Sequence, residues 1–427
     1  MEPTTRQPQR LVFLDGLRGI AALFVVSFHT ASAFEPAATV GGTAPVHSPI
    51  DHVLRWTPIL GLPFKGNFAV CVFFVLSGIA LSLGPLRRLN SGRPVRASVL
   101  CAVVRRAPRL MIPALGATAI AGVLWATGAY GNVAAGPLSS SPWFAGFWKG
   151  SPVWWGPLRE ATAGIIFSSV PHVYVPVLWT MRWELVGSLL VFGVFLLSPP
   201  RRVRLLACAL GAVLFWQSYL FCFVAGVAIA ELSPMLSGRT ARPRRAAASV
   251  RMRWWIFAPL GIYGLVLGSC PSPAPNAFYR SLVPGDWRDD IIQSHMLGAT
   301  LLLAAVVALV PVQNALSTAP CRFLGRVSFS LYLLHFLVLG SAGAATFTAL
   351  YGHVPYVVAS GSALAVTVAA ALFAAYLFTI AVDEPAVRWL ARLNAPLQRV
   401  LDRRRPALTE RPTAAAAPEP AATGAPQ

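Results

Sequence analysis

The sequence is poor in charged residues, in lysine and in paired cysteines. Only 12% of its 427 residues are charged, whereas 56% are hydrophobic and the mean hydropathy is +0.62. Since a soluble domain carries about 25% charged residues, this composition excludes an ordinary cytosolic enzyme and a disordered chain. The six cysteines form no CxxC pair and most lie in apolar runs. They are therefore expected to be buried hydrophobic residues rather than a disulfide framework or metal site.

Several motifs of catalysis and nucleotide binding are also absent. No HExxH, GxSxG, P-loop or GxGxxG motif stands in a suitable context, which leaves metalloprotease, hydrolase and nucleotide-fold functions without support. The net charge of +20 comes from 33 arginines and two lysines, mostly in short clusters between apolar stretches. Because they form no continuous patch, they indicate membrane topology rather than a nucleic-acid partner.

The chain does contain a series of apolar stretches of about 20 residues, the length of a membrane-spanning helix. They predict an all-α, polytopic membrane bundle of about ten transmembrane helices. Their approximate ranges are 11–33, 66–86, 99–127, 175–198, 203–217, 218–236, 253–270, 291–312, 323–349 and 355–382.

The distribution of basic residues predicts the orientation of this bundle. With the N-terminus inside, 27 arginines fall in inside segments and six basic residues fall outside. The positive-inside rule then favours both termini in the cytoplasm of a multi-pass plasma-membrane protein. A cleaved signal peptide is the alternative for the first helix, but Asp15, Arg18 and His29 interrupt its apolar region and favour a retained helix.

The predicted organisation has four parts: a cytoplasmic N-terminal segment (1–10), a transmembrane domain (11–385), a basic interfacial segment (386–405) and a disordered Ala/Pro-rich tail (406–427). Two long outside loops, 34–65 and 128–174, are rich in tryptophan. Their tryptophans fit either the membrane interface or an acceptor-binding surface. These residues are Trp56, Trp143, Trp148, Trp154 and Trp155.

Ionisable residues within membrane spans are costly, so each is a functional hypothesis. Asp15, Arg18 and His29 lie within about 60° on one face of the first helix, forming a polar seam. A neutral imidazole can take a proton from a hydroxyl and return it later. His29 is therefore the best candidate for chemistry, with a histidine satisfied by a neighbouring helix as the equal alternative.

Arg106 and Arg109 are three residues apart and share a helix face. Guanidinium groups bind phosphates bidentately, although positive-inside anchoring also explains such a cluster. Arg109 precedes a continuous apolar run and lies deeper than anchoring requires. Glu184 could belong to a structural ion pair, with Arg182 or with another helix, or to an active site.

Two further polar groups stand near the C-terminal end of the predicted domain. His335 follows Ser328, Ser330 and Tyr332 within the ninth predicted helix, where hydrogen bonding between helices is the ordinary explanation. The sequence 383–385 (Asp-Glu-Pro) closes the tenth helix, where a carboxylate pair could equally be solvated.

Six segments follow one another along the chain: FLDGLRGIAALFVVSFH (13–29), FFVLSGIALS (73–82), RRAPRLMIP (105–113), LWTMRWELVGSLLVF (178–192), VSFSLYLLH (327–335) and DEPAVRWL (383–390). In this order they resemble the acyltransferase 3 family of integral membrane O-acyltransferases, over roughly residues 10–392. The first segment is the specific one and ends in the motif histidine, here His29. The late glutamate-proline motif maps onto Glu384 and Pro385, and the chain departs there, with Ala386 and Arg388 where many members have an arginine directly between Glu and Pro.

The resemblance implies transfer of an acyl group, acetyl by default, from acyl-CoA to a hydroxyl of a sugar, glycan, lipid or secondary metabolite. It implies acyl-CoA as co-substrate, a hydroxyl-bearing acceptor and the lipid bilayer as partners, with no permanently bound cofactor and no metal. The donor would enter from the cytoplasm and reach His29, the general base. The expected site residues are His29, Glu184 and Glu384 for catalysis, Arg18, Arg106 and Arg109 for donor binding, and Asp15 and His335 in support.

A membrane transporter of a polar or acylated small molecule is the alternative from a different functional class. A transporter needs alternating access, often with internal repeats and broken helices, and no repeat is visible in the sequence. Consumption of acyl-CoA with release of free thiol by the purified protein discriminates between the two functions.

Overall fold

The computed structural model of the protein describes residues 11–39, 41, 44–167, 169–237, 246–271, 277–282 and 291–403. Within these ranges every regular element is a helix, and extended residues pair only in one isolated bridge, between Tyr351 and Val354. The predicted all-α class is therefore confirmed for the described part of the chain. The predicted N-terminal segment 1–10 and tail 406–427 lie outside the described residues.

Eleven principal helices are labelled here in chain order. They are α1 (Val12–Phe34), α2 (Gly66–Asn90), α3 (Arg96–Ala126), α4 (Trp179–Leu197), α5 (Arg201–Leu214), α6 (Leu220–Leu232), α7 (Ala246–Gly268), α8 (Ile291–Ala308), α9 (Ala319–Val338), α10 (Tyr356–Phe378) and α11 (Glu384–Arg403).

Seven helical segments in the described ranges are long and apolar enough to cross a membrane. They are Val12–Phe34, Gly66–Asn90, Arg96–Ala126, Pro176–Leu197, Ile291–Ala308, Ala319–Leu350 and Tyr356–Leu393. The other three predicted spans are also helical, as α5, α6 and α7, but α5 and α6 are short and the apolar part of α7 is Met252–Gly268. The chain is thus a multi-pass integral membrane protein.

A buried ion pair joins α5 to α6. Arg204 donates a hydrogen bond from Nε to the carboxylate of Glu231, and both side chains are at most 5% exposed. Arg204 also donates to the carbonyl of Pro199 at 2.5 Å. Arg204, one of the 27 arginines in the predicted inside segments, is therefore a buried structural group.

Glycines allow α1 and α9 to pack closely, and these two helices form the most extensive contact between helices in the described structure. A Cβ atom at Gly19 would lie 2.5 Å from Leu324, and one at Gly325 would lie 2.4 Å from the carbonyl oxygen of Asp15. Real Cβ atoms do not approach backbone this closely, so the DGLRG segment permits a helix crossing that larger side chains would prevent. The crossing aligns the C-terminal half of α1 with that of α9.

Two π-helical turns interrupt the long C-terminal helices. Leu339–Gly343 continues α9, and Thr379–Asp383 links α10 to α11. Such turns add one residue to a helical turn and often lie at functional sites. The second turn joins α10 to α11, and the predicted interfacial segment 386–405 is helical through Arg403, where the described residues end. Asp383, the last residue of the turn, accepts from Arg109 of α3.

Candidate active site

A polar cavity of about 280 Å³ lies between α1, α2, α3, α4 and α9. Four arginines and three carboxylates line it. They are Arg18, Arg106, Arg109, Arg326, Asp15, Glu184 and Asp383. Aromatic and apolar side chains, among them Phe73, Phe74 and Tyr332, complete the wall. The cavity can therefore receive an anionic group at one end and an apolar chain beside it.

Two side chains of α4 hold the guanidinium group of Arg106. Its NH2 group donates to the carboxylate of Glu184, and its Nε donates to Ser188 Oγ at 2.6 Å. Ser77 of α2 donates to the same Glu184 oxygen at 2.6 Å. Glu184 thus pairs with Arg106, while the other arginine considered for it, Arg182, lies over the ring of Trp183.

Arg109 is positioned by α9 and by the second π-helical turn. It donates to Asp383 at 2.5 Å, and its guanidinium carbon lies 5.1 Å from the centre of the Phe329 ring. Glu384, the next residue, instead accepts a hydrogen bond from Arg326 at 2.8 Å and is about a third exposed. The structure therefore places Asp383 in the cavity wall, whereas Glu384 is not among the lining residues.

The polar seam predicted on α1 is divided between two places. Asp15 and Arg18 line the cavity, where Arg18 donates to Asp15 at 3.2 Å. His29 lies eleven residues further along the helix, which is about 16 Å at 1.5 Å per residue, and it is not among the cavity-lining residues. The groups nearest to His29 belong to α9 and to the loop 128–174.

Tyr332 stands between the cavity and the histidine of α9. Its hydroxyl forms a 2.7 Å hydrogen bond with Thr180 Oγ1 and donates to the carbonyl of Val177 at 3.2 Å. Its ring lies 5.9 Å from that of His335, one helical turn further on. Tyr332 therefore links the cavity wall to the histidine pair by this ring contact.

His29 and His335 form a hydrogen-bonded pair. His335 Nε2 lies 3.0 Å from His29 Nδ1, and His335 is fully buried. His335 Nδ1 lies 2.8 Å from the carbonyl oxygen of Tyr332 and 3.1 Å from that of Leu331. His29 Nδ1 also lies 2.9 Å from the carbonyl oxygen of Val25.

These carbonyl contacts determine the tautomers of the neutral pair. A carbonyl oxygen only accepts, so each Nδ1 must carry the proton. The unprotonated Nε2 of His335 then accepts from Nδ1–H of His29. The lone pair of His29 lies on Nε2, for which no hydrogen-bond partner exists among the described residues. His29 can accept a proton at Nε2 while His335 stabilises the imidazolium that forms.

Three aromatic rings pack around the imidazole of His29. The rings of Phe28, Trp143 and Phe336 have their centres 5.1, 6.0 and 5.3 Å from that of His29. The loop that carries Trp143 is tied to the end of α1, because Ser139 and Ser141 donate to the carbonyls of Ala33 and Ser32 at 2.6 and 2.8 Å. The loop therefore forms the outer wall of the histidine site.

A buried carboxylate stabilises the other end of this loop. Glu160, 2% exposed, accepts from the backbone N–H groups of Val173, Tyr174 and Val175 at 2.6 to 2.9 Å. Burial raises the pKa of Glu160, against these three hydrogen bonds, which lower it. The strand-like segment before α4 is thereby held in place, and α4 presents Glu184 to Arg106.

The structure thus brings together most of the predicted site residues, in two groups. Asp15, Arg18, Arg106, Arg109 and Glu184 meet at the cavity, and His29 meets His335 at the far end of the same helix pair. The sequence shows the acidic pair Asp383 and Glu384, but it does not show that Asp383 is the member that faces Arg109. It also left Trp143 among five equivalent tryptophans, since nothing in the sequence shows which one reaches His29.

Comparisons with known proteins support an enzyme. A family model described as an acyltransferase domain matches residues 11–381. Acyltransferase R4 of Phoma sp. is 26% identical over an alignment 458 positions long, which covers 92% of this chain and 97% of the relative. O-acetyltransferase PaAT-1 of Phomopsis amygdali is 29% identical over 373 residues, covering 78% and 73%. Acyltransferase clz18 of Cochliobolus lunatus is 24% identical over 419 residues, covering 81% and 86%. No solved structure matches the chain.

Proposed function

The chain belongs to the family described as the acyltransferase domain and is an acyltransferase, and from this premise we propose its reaction. The protein transfers an acetyl group from acetyl-CoA to an acceptor hydroxyl, with His29 as general base. The observation that carries the proposal is the His29–His335 pair, which leaves Nε2 of His29 as an available lone pair beside an aromatic wall.

The donor binds at the arginine-lined cavity. Arg106 and Arg109 each use part of their N–H groups on Glu184 and Asp383 and retain others for phosphate oxygens. The carboxylates orient the guanidinium groups before the donor arrives, so less side-chain entropy is lost on binding. The arm of the donor passes Tyr332 and brings the thioester to the histidine pair.

The chemical step moves one proton and one acyl group. Nε2 of His29 removes the proton of the acceptor hydroxyl, and the oxygen attacks the thioester carbonyl. The carbon–sulfur bond breaks, and the CoA thiolate takes the proton from His29. Nδ1–H of His29 donates to His335 throughout, which holds the ring in the productive orientation.

The acetyl group and the oxygen acceptor are supported by one relative in particular. The Phomopsis amygdali protein is named an O-acetyltransferase. The acceptor is a hydroxyl of a sugar, glycan or secondary metabolite. The charge asymmetry of the sequence supports an even number of spans in the plasma membrane, with both termini in the cytoplasm and donor entry from that side. The seven long apolar helices, together with α5, α6 and α7, support about ten spans.

The test follows free thiol and acetylated product together. Membranes that contain the protein are incubated with acetyl-CoA and a panel of sugars and hydroxylated metabolites. The proposal predicts acceptor-dependent thiol release with an equal amount of O-acetylated product. Saturable acetyl-CoA binding without turnover on any acceptor, together with uptake of a panel compound into vesicles, would instead establish a transporter.

A further inference from the structure

Trp143 presents an exposed aromatic face beside His29. Its side chain is 40% exposed, and its ring plane is within 13° of parallel to the imidazole. Within the described structure its indole N–H has no hydrogen-bond partner, whereas those of Trp125 and Trp148 donate to backbone carbonyls at 2.9 and 3.2 Å.

The position of Trp143 is determined by its neighbours rather than by chance exposure. Phe144 is fully buried, and Asn132 donates to the carbonyls of Phe144 and Phe147 at 3.0 and 2.7 Å. Trp143 also packs edge-on against Phe147 and Phe336, with ring centres 5.2 and 5.6 Å apart. The partly exposed indole is therefore held in one place beside the imidazole of His29.

Because the indole and imidazole planes are nearly parallel, the indole can orient a bound ring relative to His29. The lone pair on Nε2 of an imidazole lies in the plane of the ring. The 6.0 Å between the two ring centres is longer than a face-to-face stack allows, so the imidazole is offset and covers only part of that indole face. A cyclic molecule that stacks on the rest of the same face lies near the imidazole plane, and a hydroxyl at its edge can point along the lone pair. Stacking on the indole thus orients an acceptor for deprotonation by His29.

The ring contacts of His29 are all aromatic: Phe28, Trp143, His335 and Phe336. A charged acceptor would lose hydration there and gain no ion pair from these groups. An apolar ring face would gain stacking and the hydrophobic effect.

We propose that Trp143 is a specificity-determining residue that selects an uncharged cyclic alcohol, with the apolar ring face on the indole and the edge hydroxyl on Nε2 of His29. The acetylation of that hydroxyl rests on the proposed function, but the stacking of the alcohol on Trp143 requires no acetyl-CoA. It can therefore be tested separately from transfer.

The test uses a photoactivatable neutral probe, a benzyl alcohol that carries a trifluoromethyl diazirine on its ring, with the full-length protein in lipid nanodiscs and no donor. Site-resolved mass spectrometry should find saturable labelling of residues 142–147 or of the His29 segment. Trp143→Ala should lower this labelling about tenfold, the effect of one lost stacking contact. Trp143→Phe should restore most of it.

Trp154→Ala is the matched control, since Trp154 is 90% exposed in the same loop and its removal should leave labelling unchanged. The benzoic acid that carries the same diazirine should label these positions weakly. Unchanged labelling in Trp143→Ala, or equal labelling by the carboxylate, would overturn the proposal.

Competition identifies the ring that is preferred. Displacement of the probe by cyclohexanol but not by methyl β-D-glucoside supports an apolar scaffold, and displacement by both extends the same site to sugar rings. Trp143-dependent labelling without acetyl transfer to any acceptor, including the full panel of sugars and hydroxylated metabolites, would reject the proposed function and retain the binding site. Acetyl transfer that is unchanged in Trp143→Ala would retain the proposed function and reject the binding site at Trp143.

Discussion

At the scale of single residues, backbone carbonyls decide which imidazole nitrogen can act as a base. The carbonyls of Val25 and Tyr332 hold the protons of His29 and His335 on their Nδ1 atoms. If the ring of His29 were flipped, neither the carbonyl of Val25 nor Nε2 of His335 would hold its proton on Nδ1. If the ring of His335 were flipped, His29 would lose that acceptor for Nδ1–H. His335 therefore acts as a positioning residue, although its sequence context predicts only hydrogen bonding between helices.

Replacement of His335 tests this role. His335→Ala removes the acceptor for Nδ1–H of His29, and kcat should fall by about 10- to 100-fold, below the full range of about 10²- to 10⁴-fold for a general base. His335→Gln offers an amide oxygen as acceptor and should recover part of the loss. The measurement is kcat, KM and the pH–rate profile. A loss confined to KM for the donor, with kcat unchanged, would contradict the assignment.

Arg109 provides the matching test of the donor site. Arg109→Ala removes a guanidinium that can donate to phosphate, and hydrogen bonds to charged groups contribute about 1.5–3 kcal/mol. KM for acetyl-CoA should therefore rise by roughly 10- to 100-fold. Arg322→Ala removes the same charge from an exposed position and should leave KM unchanged. Equal KM values in the two variants would show that Arg109 only anchors the helix.

At the scale of helices, the close contact between α1 and α9 brings the two histidines together. Gly19 of α1 faces backbone atoms of Leu324 and Gly325 in α9, so no side-chain rotation can relieve an added methyl group. The crossing point lies near Gly19 and Gly325, and His29 and His335 stand about ten residues further along each helix. A small change at the crossing is therefore expected to alter the distance between the imidazoles.

Gly19→Ala should lower both thermal stability and transfer activity. Its Cβ would lie 2.5 Å from Leu324, and overpacking of this kind costs about 1–3 kcal/mol. Gly193→Ala is the matched control, because a Cβ there meets nothing within 4 Å. That change should be neutral or stabilise by about 0.4–1 kcal/mol. Equal thermal midpoints for the two variants would argue against the tight crossing.

Glu35, which directly follows α1, forms a pH-dependent contact with α10 and with the helix Pro49–Trp56. Glu35 accepts from Ser360 of α10 at 2.6 Å and faces Asp51 in the helix Pro49–Trp56, with Tyr356 nearby. Burial, opposed by the Ser360 hydrogen bond and reinforced by the Asp51 carboxyl, raises the pKa of Glu35 from 4.5 to about 8. Between pH 4.5 and about pH 8 the folded protein therefore binds more protons than the unfolded chain. Across this pH range the free energy of unfolding falls as pH rises.

Glu35→Gln removes this titration. The variant and the wild type should have similar thermal midpoints near pH 5, where Glu35 is protonated. Near pH 9 the variant should be the more stable, because the wild type then buries a carboxylate. Thermal unfolding in one detergent across this pH range makes the comparison. A difference that is constant with pH would contradict the raised pKa.

At the scale of the whole molecule, hydrophobic periodicity and motif order predict the helical membrane class and most of the site. The first segment, 13–29, contains His29 and Gly19 of the crossing, and both matter because of their positions along one helix. The division of the polar seam could not be predicted, because it depends on where α9 and the loop 128–174 pack. The choice of Asp383 over Glu384 at Arg109 depends on a π-helical turn, for which the sequence carries no recognisable signal.

The most direct measurement compares acceptor-dependent acetyl transfer by the wild type and His29→Ala in the same membranes, with acetyl-CoA as donor and the mass of the product as readout. His353→Ala, an exposed histidine away from the pair, is the matched control. Removal of the base should lower the rate by about 10²- to 10⁴-fold, with acetyl-CoA binding retained and the control unaffected. Equal rates in the wild type and His29→Ala would contradict the account.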